Sequence, residues 1–105
     1  MGKLPRRVPT LLRKFRMETV SAQLEITVYT TDPCARCIRA KDLLQTHGLA
    51  FQEVNLAKDP VGRRRLAKFT GHLTFPQIVI DGKPLGGFQE LLEADQQGHL
   101  AQLAA

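Results

Sequence analysis

Apolar and polar positions alternate over residues 24 to 29, "LEITVY", and the run is rich in β-branched side chains, which predicts a half-buried strand. After "TTDP" the period changes to that of a helix: Cys37, Ala40 and Leu44 fall at i, i+3 and i+7, with Leu43 beside them and Gly48 placed to end the run. Alternation returns over residues 50 to 56, "AFQEVNL", a second strand. In "KDPVGRRRLAKFTG" Asp59 is a candidate N-cap and Pro60 the first helical residue. Gly62, Leu66 and Phe69 share a face, Arg63, Arg64 and Arg65 spread around the rest, and Gly71 stops the helix. A short apolar strand follows at residues 77 to 80. Then come Asp81-Gly82, a pair favoured in tight hairpin turns, and a brief returning strand ending at Gly86-Gly87. A last helix from residue 88 to about 97 buries Leu91 and Leu92, and "GHLAQLAA" adds a final turn or frays.

The element order is β-α-β-α-β-β-α. A crossover between neighbouring parallel strands followed by a terminal hairpin gives a four-stranded mixed sheet flanked by three helices, an α/β arrangement with a thioredoxin-like layout. The 105 residues suit one domain with one hydrophobic core. With 43% hydrophobic and 24% charged residues the composition is that of a soluble globular protein, and no apolar run is long enough to span a bilayer.

The net charge of +5 raises the question of nucleic acid or an acidic membrane, but its distribution answers against both for the domain. The first sixteen residues carry Lys3, Arg6, Arg7, Arg13, Lys14 and Arg16 and no acid; from Met17 onward nine Lys and Arg face ten Asp and Glu. The chain therefore divides into a basic, flexible arm at residues 1 to 23 and a near-neutral domain at 24 to 105. The arm is open to several readings: a flexible tail, translation starting near Met17, a mitochondrial-type transit peptide, or a tether to nucleic acid or anionic lipid. No apolar stretch follows the charges as a secretory signal requires. A monomer in the cytoplasm is expected, with mitochondria the alternative if the arm is a transit peptide.

The chain's two cysteines, Cys34 and Cys37, sit in "TDPCARC" at the predicted junction of strand and helix. One C-x-x-C pair in a small chain without a secretory signal suits a reducing compartment and a chemical rather than structural role. The thiolate is the nucleophile, and at a helix entrance unpaired N–H groups and the positive end of the dipole stabilise it. Arg36, Arg39 and Lys41 add positive potential, so Cys34 is expected to have a lowered pKa. Cys37, nearly a turn further on and more buried, lies within disulfide reach. A zinc site fits poorly, because His47, His72 and His99 are scattered without ligand spacing, and no metal is expected. Two inert core cysteines remain the plain alternative.

The second half of the chain supplies two further features. Pro76 in Thr74-Phe75-Pro76 precedes a strand, where proline often marks a cis peptide and otherwise simply starts the strand. Gly86-Gly87 is either a tight turn or a place where a ligand approaches the backbone before a helix. With C-x-x-C, T-x-P and G-G in this register, the sequence resembles the glutaredoxins across roughly residues 24 to 100. The resemblance implies a thioredoxin fold using glutathione as co-substrate, with glutathionylated or disulfide-containing proteins as partners. It implies that Cys34 is the nucleophile and Cys37 the resolving cysteine. Phe75, in the Thr74 to Pro76 loop, would pair its backbone with the cysteine of glutathione. Gly86, Gly87, Phe88 and Glu90 would hold its γ-glutamyl end, and Arg63 would meet its glycine carboxylate.

Two departures stand out: Ala35 and Arg36 replace the family's usual Pro-Tyr, and Thr31 replaces a common lysine. Arg36 is the candidate to restore that charge toward glutathione, or is simply solvated. Competing functions are a redoxin reduced by thioredoxin reductase, and an iron–sulfur protein whose cluster is held by Cys34 and glutathione. The arsenate reductase family resembles the first half but lacks the "TFP" to "GGF" sequence.

Overall fold

A computed structural model describes residues 24–104. The arm at residues 1 to 23 lies outside the described residues. The elements are β1 (Ile26–Thr30), α1 (Ala35–Thr46), β2 (Gln52–Asn55), α2 (Pro60–Thr70), β3 (Gln77–Ile80), β4 (Lys83–Gly86), α3 (Phe88–Gln96) and α4 (His99–Ala104). The strands form one sheet in the order β2-β1-β3-β4, with β1 parallel to β2 and antiparallel to β3, and β3 antiparallel to β4. This is the expected mixed sheet; the C-terminal turn proves to be a short fourth helix.

Alternation in β1 buries Ile26, Val28 and Thr30. Ile26 lies opposite Ile80 and Val28 opposite Ile78, so these four share a face. That face, together with Ala40 and Leu44 of α1, Leu91 and Ala94 of α3, and Leu100 of α4, makes the main core. Gln77 and Val79, pointing the other way, are also buried, as a strand covered on both faces requires. Gln77 shares a depression with Arg63 and Arg64, which places α2 on this second face. Each fully buried Leu or Ile contributes about 1.5–3 kcal/mol.

The ends of the elements follow local rules. The side chain of Asp59 accepts the Gly62 N–H at 2.8 Å, Pro60 opens α2, and Gly71 closes it in the left-handed region. Asp81 (φ 51°) and Gly82 (φ 79°) form the two-residue hairpin turn, as expected of their sequence. Phe69 departs from expectation: it is 55% exposed. Only a narrow sector of α2, centred on Leu66, meets the sheet, and Phe69, about 60° around the helix from Leu66, already falls outside it.

Candidate active site

Cys34 is the N-cap of α1, with extended backbone (φ −156°, ψ 96°), and its Sγ accepts the Cys37 N–H at 3.1 Å. The two cysteines form a disulfide with their Cα atoms 5.2 Å apart. Cys34 is half-buried, whereas Cys37 is 2% exposed among the core side chains of α1. A partner can reach one sulfur and not the other. In the dithiol form, the N–H that points at Cys34 Sγ would stabilise a thiolate there.

The turn leading to Cys34 is held from β2. Asn55 Nδ2 donates to Asp32 Oδ2 at 2.9 Å, while Asn55 Oδ1 accepts the Ala57 N–H. The Asp32–Pro33 peptide is cis, as is Phe75–Pro76. Of the two, only the second carries a signal in the sequence. Buried Gln77 shapes the loop before Pro76, its Nε2 donating to the carbonyls of His72 (3.0 Å) and Thr74 (2.9 Å). The backbone N–H and C=O of Phe75 take part in no hydrogen bond among the described residues, which leaves them free for an extended partner.

A groove of about 390 Å³ is lined by Arg36, Arg39, Thr74, Phe75, Pro76 and the start of α3 from Gly87 to Glu90. Gly86 (φ 130°) and Gly87 let the chain turn against the proline loop. A Cβ on Gly86 would lie 2.6 Å from Glu90 Cγ, and one on Gly87 3.3 Å from the Pro76 carbonyl oxygen. Glu90 folds back so that Oε1 accepts the Gly87 N–H at 2.8 Å. The Arg39 guanidinium sits 5.2 Å from the centroid of the Phe88 ring, a cation–π arrangement at the groove wall.

Most of the residues expected at the site thus come together: Cys34 and Cys37 at the helix entrance, and Arg36, Thr74, Phe75, Pro76, Gly86, Gly87, Phe88 and Glu90 around the groove. Arg63 lies apart. Its Nη1 donates to the carbonyls of Leu56 (2.7 Å) and Ala57 (2.9 Å), clamping the β2–α2 connection. Lys41, expected to add potential at the cysteines, is instead paired with Glu53 at 3.0 Å. Thr30 donates to the same carboxylate at 2.8 Å. The Thr30 hydrogen bond, followed by that from Lys41, lowers the Glu53 pKa against a smaller opposing effect of burial. Gln89 and Arg39 line the groove beyond the expected set; Arg39 was legible only as one more positive charge, because helical spacing alone does not show Phe88 beneath it.

A proline-flanked disulfide at a helix entrance, on a mixed sheet with helices on both faces, defines a thiol–disulfide oxidoreductase of thioredoxin-like fold. The family model described as glutaredoxin matches residues 26–85. Glutaredoxin 3 of Escherichia coli (strain K12) is 37% identical over 78 residues, covering 74% of this chain and 94% of that protein. Among solved structures, glutaredoxin from Brucella melitensis superposes with a TM-score of 0.72 at 31% identity, covering 82% of this chain and 94% of that one. A buckwheat glutaredoxin–glutathione complex gives a TM-score of 0.69 at 28% identity, covering 75% and 74% of the two chains. The chain belongs to the glutaredoxin family.

Proposed function

We propose that this protein is a glutathione-dependent oxidoreductase that reduces protein–glutathione mixed disulfides and protein disulfides, with Cys34 as nucleophile and Cys37 as resolving thiol. The observation that carries the reading is the groove beside Arg36, where cationic side chains, free backbone groups and a helix N-terminus meet next to the accessible cysteine. The chemistry of glutathione matches these features. Its γ-glutamyl carboxylate suits Arg36, Arg39 and the N–H groups opening α3, and its ammonium suits the Glu90 carboxylate. Its cysteine backbone suits the free polar groups of Phe75. A buckwheat relative is known as a glutathione complex, which supports the same ligand.

In the proposed cycle the Cys34 thiolate attacks the glutathione sulfur of a mixed disulfide, and the substrate's cysteine leaves as a thiolate that takes up a proton. A second glutathione thiolate attacks the Cys34–glutathione bond, releasing glutathione disulfide and restoring Cys34. With a protein disulfide, Cys34 first forms a mixed disulfide with the substrate. Cys37 then attacks Cys34 Sγ, releases the substrate dithiol, and leaves the Cys34–Cys37 disulfide for two glutathiones to reduce. The protein works as a monomer in this reading, in a cytoplasm that keeps thiols reduced.

The electron donor tests the proposal. Purified protein should turn over a small glutathione mixed disulfide with glutathione, glutathione reductase and NADPH, and remain idle with thioredoxin reductase and NADPH. Turnover with thioredoxin reductase alone would overturn it in favour of a glutathione-independent redoxin.

A further inference from the structure

Outside the groove, the outward face of α2 forms a strip of a second kind. Val61, Arg65 and Lys68 follow one another at i, i+4 and i+7, Arg64 and Phe69 flank them, and the strip runs off the helix to Leu73. Val61 is 46% exposed, Phe69 55% and Leu73 82%, three of the four large apolar side chains exposed among the described residues. Residues 60 to 71 hold no acid. Among the described residues Arg64, Arg65 and Lys68 have no carboxylate partner; the ion pairs there are Lys41–Glu53 and His47–Asp95. Residues 24 to 104 carry nine Lys and Arg against nine Asp and Glu, so this is local polarity in a neutral domain. The strip also adjoins the groove lined by Arg36: Arg64 and Leu73 line a depression of about 260 Å³ that shares Phe75 with it.

We propose that this strip docks the substrate protein through an acidic segment that carries an apolar side chain and lies beside the substrate's disulfide. Carboxylates meet Arg64, Arg65 and Lys68, and the apolar side chain covers Leu73. Two observations select this occupant. A protein presenting a disulfide to Cys34 must continue its own chain across the surface next to Phe75, and this strip is that surface on the α2 side. Its cations lack counter-charges among the described residues, so acidic substrates gain in encounter rate and register without breaking a pair there. The inference rests on thiol–disulfide exchange by the cysteine pair and not on glutathione as the donor.

The test is a single turnover of the reduced full-length protein, without glutathione, against two disulfide-closed peptides of equal length. One carries two Glu and a Leu beside its cysteine, the other two Lys and a Leu. Cys34 and Cys37 give two electrons to the peptide disulfide and become the protein disulfide, so the rate reads docking and exchange together. The acidic peptide should react about tenfold faster at low salt, with the preference shrinking in 0.5 M salt as charges are screened. The double variant Arg65→Glu/Lys68→Glu should erase or invert the preference. Leu73→Ser should slow the acidic peptide about threefold, and neither variant should alter reduction of 2-hydroxyethyl disulfide. Equal rates for the two peptides would overturn the proposal, as would a preference that survives the charge reversal. So would sedimentation with phosphatidylserine vesicles that the Arg65→Glu/Lys68→Glu variant loses, without peptide preference, which would make the strip a membrane face. None of these results bears on glutathione as donor, which the reductase-coupled assay reads separately.

Discussion

The two ends of the site spend their charges differently. At the α1–α3 end, Arg36 is exposed and Arg39 lies against the Phe88 ring, and neither is bound to a carboxylate among the described residues. At the β2–α2 end, Arg63 holds two backbone carbonyls and Asp32 is held by Asn55. A basic residue expected to bind is therefore not the same as a free charge. The difference predicts that anion recognition in this chain leans on the helix-α1 cations, while Arg63 chiefly supports the loop that positions β2 and α2.

The largest expected effect comes from disturbing the α3 end. In Gly86→Ala the new Cβ, in a positive-φ conformation, meets Glu90 and displaces the carboxylate that caps Gly87. Glutathione-driven turnover should fall more than about tenfold and stability by about 1–3 kcal/mol, read from coupled kinetics and urea unfolding. Unchanged kinetics would show that the diglycine turn does not contribute to the groove. Next, Arg36→Ala with Arg39→Ala should raise KM for a glutathione mixed disulfide about five- to tenfold with little change in kcat, as loss of charge-assisted binding does. Arg63→Ala should do the reverse, costing about 1–2 kcal/mol of stability while KM moves about twofold. A larger KM effect from Arg63 than from the α1 pair would invert the comparison.

The smallest effect concerns Glu53, whose pKa is lowered from the ordinary 4.5 by Thr30 and Lys41. A carboxylate with a folded-state pKa below its unfolded one contributes stability above the unfolded value and loses it as pH falls through the folded one. Glu53 is about a third exposed, so Glu53→Gln should cost under about 1 kcal/mol at pH 7. That difference should vanish on acidification below the carboxylate range; a difference that persists at pH 2 would assign it to something other than charge.

Much of this architecture was legible in the chain. Alternation over "LEITVY" and the apolar run at Gln77–Ile80 marked the strands, and Asp59-Pro60 with Gly71 bounded α2, because caps, prolines and positive-φ glycines act through neighbours in sequence. The cysteine pair, the proline loop and the diglycine turn were legible for the same reason. What escaped was tertiary in origin. Lys41 meets Glu53 across twelve residues, Gln77 is buried to shape the loop behind it, and Phe69 stays outside because the sheet meets only a narrow part of α2. The Arg39 stack on Phe88 joins residues 49 positions apart, a pairing that no local pattern shows.

The division of labour between an accessible Cys34 and a buried Cys37 is the centre of the account, and one kinetic comparison tests it most directly. Reduction of a glutathionylated substrate by glutathione should persist in Cys37→Ser, fall to background in Cys34→Ser, and in Cys37→Ser be accompanied by loss of protein-disulfide reduction. A Cys37→Ser protein inactive on the glutathionylated substrate, or a Cys34→Ser protein still active on it, would contradict the assignment.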